Sequence, residues 1–107
     1  MTGRIVALTT VGSAGDAERI AQALVEQGHA ACVNVVPGVM SFYRWKGEMA
    51  RDAEWLLVMK TTAARFEALR EALVEMHPYE VPEVVELPIE RGHARYLEWI
   101  DASVSAS

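Results

Sequence analysis

Residues 77 to 83 read His-Pro-Tyr-Glu-Val-Pro-Glu and gather an imidazole, a phenol and two carboxylates in one short segment. Imidazole nitrogen and carboxylate oxygen are donors of the kind that bind divalent metal ions, and the adjacent Met76 offers a soft sulfur. Pro78 and Pro82 fix φ and withdraw two backbone donors, so neither a helix nor an inner strand continues through the segment. It is read as a stiff extended connector, and rigid polar loops are where sites tend to be built. His77 is the best-placed metal ligand; the alternative is a structural role that fixes the loop through its ring nitrogens.

Cys32 is the only cysteine, which rules out an intrachain disulfide. Its thiolate would suit a soft metal, but it stands between Ala31 and Val33 in an apolar strand, where packing is the competing role. His29 follows Gly28 and is expected to face solvent at a helix end, where its charge suits the dipole. His93, in the Arg91-Gly92-His93 loop, is expected at the surface. The chain has no Cys-x-x-Cys pair, no His-Glu-x-x-His motif and no calcium-type carboxylate loop. A metal site must therefore be assembled in three dimensions, within the chain or between subunits.

The elements that position these groups follow from periodicity. Arg4 to Val11 is β-branched and nearly continuously apolar, which predicts a central strand buried on both faces. Ser13 or Asp16 caps a helix with Ala17, Ile20, Ala21 and Leu24 on one face, and Gly28 stops it. Ala30 to Val36 reads as a second strand that ends at the Pro37-Gly38 turn signal. Val39 to Lys46 and Glu54 to Lys60 read as an antiparallel hairpin with a loop around Gly47 to Arg51. Thr61 or Thr62 caps a second helix whose stripe is Phe66, Leu69, Leu73 and Met76. Val84 to Ile89 reads as a strand that Pro88 confines to an edge or a bulge. A short helix from Ala94 to Ala102 closes the chain, with residues 102 to 107 as a frayed polar tail.

The order β-α-β, hairpin, β-α-β predicts one α+β domain over residues 1 to 107. Its fold is the ferredoxin-like, split βαβ sandwich with an extended hairpin and a short C-terminal helix. Trp55 to Met59 is continuously apolar, and Phe42, Tyr43 and Trp45 precede it. Both faces of the hairpin therefore call for burial, which predicts a homo-oligomer whose hairpin packs or pairs with a neighbour.

Ten Lys and Arg against fifteen Asp and Glu give a formal net charge of −5. No basic run is present, which argues against nucleic-acid or membrane-surface binding. No apolar run reaches the roughly 18 residues of a membrane span, and the start of the chain lacks a signal pattern. The expected location is the cytoplasm.

Five segments occur in register: Ala31-Cys32-Val33-Asn34-Val35-Val36-Pro37-Gly38, Tyr43-Arg44-Trp45-Lys46-Gly47, Leu57-Val58-Met59-Lys60-Thr61, the 77–83 connector, and Tyr96-Leu97-Glu98-Trp99. Together they resemble the CutA family of divalent cation tolerance proteins, from residue 4 to about 102. The resemblance implies a compact homotrimer of ferredoxin-like subunits, similar in architecture to the PII signalling proteins. It also implies an association with divalent-metal tolerance and copper binding, and no enzymatic activity. Of the ligands in members that carry a histidine pair and a first-strand cysteine, only His77 is carried over. Met76 and Thr9 occupy the other positions here.

Two functions follow as expectations. One is a homotrimer that binds copper or another divalent cation and contributes to tolerance. The other is a PII-like module for a small molecule or a protein partner. There Trp45, Lys60, His77, Tyr79 and Glu80 would line an intersubunit cleft, with Lys60 able to meet an anion. An enzyme is not expected: acylphosphatases share the broad topology, but the loop from Thr10 to Gly15 lacks their arginine.

Overall fold

The computed structural model describes residues 2–104. Strands β1 (Arg4–Val11), β2 (Cys32–Trp45), β3 (Glu48–Thr62) and β4 (Val85–Pro88) alternate with helices α1 (Ala14–Glu26) and α2 (Phe66–Met76), and α3 (Ala94–Ser103) follows. The sheet runs β2-β3-β1-β4 with every neighbouring pair antiparallel. This is the expected ferredoxin-like order.

Helices α1 and α2 cover one face, where Ala7 and Val11 meet Ile20 and Leu24 of α1, Leu57 and Met59 of β3, and Leu69 and Leu73 of α2. Local chemistry ends each helix where the core needs it to end. Ser13 accepts the Asp16 N–H at 3.1 Å and caps α1. At the other end Gly28 adopts φ 75°, and the N–H groups of Gly28 and His29 donate to the carbonyls of Val25 and Leu24. That pair of bonds is a Schellman stop, which requires the left-handed conformation glycine supplies. Thr62 caps a single 3-10 turn at Ala63–Arg65 that leads into α2.

Several expectations change. Strand β1 alternates, with Ile5, Ala7, Thr9 and Val11 buried and the residues between them half-buried, so one of its faces stays partly open in a single chain. The second strand does not stop at Pro37-Gly38 but runs on to Trp45. A bulge sets Pro37 and Gly38 against the single residue Trp55, between the pairs Val36↔Leu56 and Val39↔Glu54. Gly38 takes φ 80° there. Proline is tolerated because β2 is an edge strand and the bulge needs no ladder donor at that point. The hairpin loop is a two-residue turn, Lys46-Gly47, with φ of 51° and 81°. Positive φ at both positions matches the twist of a tight hairpin, so residues 48 to 51 belong to β3.

Strand β4 is four residues long, and Pro88 sits on the outer edge opposite Ile5. Helix α3 continues to Ser103, so the start of the expected tail is ordered structure; residues 105–107 lie outside those described. Leu97 and Ile100 pack with Ala31, and Asp101 takes both Nε (3.0 Å) and a terminal nitrogen (2.5 Å) of Arg4. Because Arg4 lies on the face opposite the core, α3 covers one end of the open face only.

Beyond the Val11↔Trp55 pair, β2 and β3 leave the sheet as a two-stranded arm. The chain is accordingly elongated, 44 × 25 × 22 Å.

Candidate functional site

The connector 77–83 leaves the end of α2 and returns past the end of β1, facing the base of the arm. A cavity of about 630 Å³ lies between connector and arm. Thr10 of β1, Ser41, Tyr43 and Trp45 of β2, Glu54 of β3, and Tyr79, Glu80 and Glu83 of the connector line it, with Phe42, Pro78 and Val81.

The bulge decides which arm residues face this space. Before it, the even-numbered Cys32, Asn34 and Val36 lie opposite Lys60, Val58 and Leu56; after it, Val39, Ser41, Tyr43 and Trp45 lie opposite Glu54, Asp52, Ala50 and Glu48. Three residues from Val36 to Val39 span two from Leu56 to Glu54, so the facing residues of β2 change from even to odd numbers. Without that extra residue, alternation would send Tyr43 and Trp45 to the other side.

Glu54 is the buried centre of the site, 6% exposed. Its Oε2 accepts a hydrogen bond from the phenol of Tyr79, across the gap from β3 to the connector. Burial, followed by the Glu54 carboxylate, pushes the Tyr79 phenol far above its ordinary value, so it stays a donor. Asp52 accepts from Tyr43 in the same way and also raises that phenol. Gly12 makes room for Tyr79, since a Cβ there would meet the phenol oxygen at 3.2 Å.

His77 sits beneath the connector, 7% exposed, and both of its ring nitrogens have partners. Nδ1 receives the Tyr79 backbone N–H at 3.1 Å, so Nε2 carries the proton and donates to the Thr10 carbonyl at 2.9 Å. The ring also lies 4.7 Å from that of Tyr79. Burial leads the lowering of its pKa, against smaller raising effects from Thr10, Asp16 and Glu54. Arg19 completes the base of the connector by donating to the Met76 carbonyl and to Asp16.

The other expected residues lie elsewhere. Lys60 donates to Asn34 Oδ1 far along β3, opposite Val6 and Cys32, and does not reach the cavity. Cys32 is half-buried on the open sheet face, with a weak 3.8 Å contact to Asn34. The pairs Thr10↔Leu56 and Cys32↔Lys60 place it four residues along β3 from the His77 end. That is about 13 Å at the usual strand rise. His29 corrects its expectation, because it is half-buried and its Nδ1 accepts from Arg65 at 3.0 Å. Burial and then Arg65 lower its pKa, which favours the uncharged ring. His93 is exposed before α3, as expected.

From the sequence, Tyr43 reads as a β-former of the hairpin and Glu54 as the first residue of a mostly apolar strand, and neither as part of a site. A signal was present for Glu54: a lone carboxylate opens the apolar run Trp55 to Met59, where a buried acid needs a donor.

Comparison with known proteins adds identity to this geometry. The family model described as CutA1 divalent ion tolerance protein matches residues 5–103. The chain belongs to the CutA1 family. It is 53% identical over 95 residues to the divalent-cation tolerance protein CutA of Thermus thermophilus, covering 89% of this chain and 92% of that one. The crystal structure of CutA1 from Oryza sativa superposes with a TM-score of 0.94 at 41% identity, covering all of both chains. CutA from Archaeoglobus fulgidus, described as periplasmic, superposes with a TM-score of 0.92 at 37% identity, covering 95% of this chain and 99% of that one. This chain spans about half the length of the vertebrate CutA proteins it matches. No helix among the described residues is long and apolar enough to cross a membrane.

CutA1 membership links the chain to divalent-cation tolerance, the property for which the family and its relatives are named. No group of three or more His, Cys, Asp or Glu among the described residues could hold an ion. His77, at the end of α2, and Cys32, at the start of β2, stand apart.

Proposed function

We propose that this CutA1 chain contributes to divalent-cation tolerance as a homotrimer that binds copper or another divalent cation, without catalysing a reaction, in the cytoplasm. The exposed arm is the observation that carries the reading. Phe42 is 62% exposed, Met49 76%, and Trp45 40%, on a two-stranded ribbon that would be marginal alone in water. The open sheet face adds Val36, Val85 and Leu87, all exposed. Apolar surface of this extent on one subunit favours burial against neighbouring copies. Since the described residues of one chain hold no cluster of three His, Cys, Asp or Glu donors, the ion's ligands come from more than one copy, and affinity depends on assembly.

Sedimentation and copper(II) titration test this together, on the wild type and on the arm variant Phe42→Glu/Met49→Glu. The wild type should sediment as a trimer and bind copper, and the variant should lose both. A wild-type monomer at micromolar concentration, or equal copper affinity in a monomeric variant, would sink the reading.

The cavity supports a second reading, a small-molecule site. Its size and its mix of aromatic and acidic lining are those of a ligand pocket. Lys60 does not line it within one chain, so a role for that lysine in meeting an anion requires a cleft between copies. A thermal-shift screen of small molecules tests this reading: no stabilising compound would end it.

A further inference from the structure

The two sides of the arm carry opposite charge, and strand register separates them completely. Residues directly opposite each other in an antiparallel pair share a face. Val39↔Glu54, Ser41↔Asp52, Tyr43↔Ala50 and Trp45↔Glu48 make up the side toward the cavity. Every carboxylate of the arm stands there, and Glu80 and Glu83 of the connector line the same space. Met40↔Ala53, Phe42↔Arg51 and Arg44↔Met49 make up the other side, which holds both arginines of the arm and no acid. Of these residues only Phe42, on the edge strand, also borders the cavity.

These charges are not neutralised within the chain. Among the described residues no ion pair involves Arg44, Arg51, Glu80 or Glu83, and all four are exposed. Arg51 lies over the Phe42 ring at 5.6 Å, which holds its guanidinium on the apolar back of the arm. Met40, Phe42 and Met49 give that back an exposed apolar centre, and Tyr43, Trp45 and Tyr79 give one to the cavity side. An apolar centre with charges around it is the make-up of a protein interface.

Charge decides how two copies can meet. In a two-fold contact a patch meets itself, which here sets arginine against arginine or carboxylate against carboxylate. A head-to-tail contact instead lays the arginine side of one arm on the carboxylate side of the next. Such a contact repeats at every copy and closes into a ring where the rotation allows.

We propose that in the homotrimer the cavity is the seat of the neighbouring copy's arm. Arg44 and Arg51 of that arm meet Glu54, Glu80 and Glu83, and its Phe42 and Met49 cover the rings of the cavity side. The inference rests on the trimer reading and deepens it by naming the two surfaces that meet. The assembly then fills the cavity, and no free small-molecule site remains there.

The test reverses each side in the full chain. Sedimentation is run over a range of protein concentrations, at the urea concentration that half-dissociates the wild type. Arg44→Glu/Arg51→Glu and Glu80→Arg/Glu83→Arg should each weaken the trimer by about tenfold or more, because like charges then face each other. All four substitutions in one chain restore opposite signs and should recover most of that loss. Salt should weaken the wild type and strengthen both single-side variants, whose repulsion it screens. A variant that had merely lost its fold would gain neither from salt nor from the second pair of substitutions. Unchanged association of both single-side variants overturns the proposal and leaves the cavity to a small molecule. A four-substitution chain no better than either pair overturns it too, as does a two-fold dimer of the wild type. A wild-type monomer ends the trimer reading and this one with it, whereas a wild-type trimer indifferent to the reversals ends this one alone.

Discussion

Tyr79 of the connector donates its phenol hydrogen to the buried carboxylate of Glu54 on β3, joining the connector to the base of the arm at the cavity wall. The bond has a donor whose pKa is raised and an acceptor that is almost fully buried. Tyr79→Phe would leave that carboxylate oxygen without its donor. The expected cost is about 1–3 kcal/mol in urea unfolding. A loss below the error of the measurement would mean that water replaces the phenol without penalty.

Gly12→Ala tests the same contact from the other side. Its new Cβ would stand 3.2 Å from the Tyr79 hydroxyl, so the ring must give way by a few tenths of an ångström. We expect a lower thermal midpoint and a perturbed Tyr79 ring signal in NMR, with the other tyrosines unmoved.

The ring of His77 makes stability depend on pH. Its Nδ1 accepts the Tyr79 N–H only while neutral, and burial holds its folded pKa below 6.5. A group whose folded pKa lies below its unfolded value contributes fully above the unfolded value, near pH 6.5, and loses that contribution as pH falls through the folded value. His29 is lowered as well and acts with the same sign. The urea midpoint should therefore hold above about pH 7 and decline below about pH 6.5. His77→Gln should flatten part of that decline, and an unchanged slope would remove His77 as a source.

The bulge predicts an effect at a distance. Gly38 holds φ 80°, which a β-branched residue adopts at a cost of about 1–2 kcal/mol. Gly38→Val should lower stability by that amount. Deleting Gly38 should do more, because one residue fewer turns Tyr43 and Trp45 to the opposite side of the arm. A deletion variant that keeps the Tyr43 and Trp45 environments in NMR would refute the role given to the bulge.

Arg4 and Asp101 fasten α3 to the open sheet face through two hydrogen bonds. Half of the Asp101 side chain is exposed, so solvent and salt weaken the pair. Asp101→Ala should cost about 0.5–1 kcal/mol, less at high salt. Faster amide exchange in α3, with β1 unchanged, would report the loosening.

Much of this was legible beforehand because it is local. The apolar stripe of α2, the Gly28 stop and the edge placement of Pro88 each depend on a few neighbouring residues. The Pro37-Gly38 pair is a turn signal along the chain, because a bulge and a turn use the same residues. Only the partner strand distinguishes them, by supplying one residue opposite two. The Lys46-Gly47 turn was hidden for a related reason, since lysine is an uncommon occupant of a left-handed position.

By itself the amino-acid order determined the helices and the split βαβ arrangement, and it set two prolines in the 77–83 connector, but it did not show that the second strand runs on through Pro37-Gly38. These follow from periodicity, caps and proline geometry along the chain. The tertiary structure decided the chemistry. It engaged both nitrogens of His77, separated Cys32 and Lys60 from the connector, and set Glu54 under Tyr79. Those outcomes depend on which residues of distant segments meet, and that is fixed by strand register and by a single bulge.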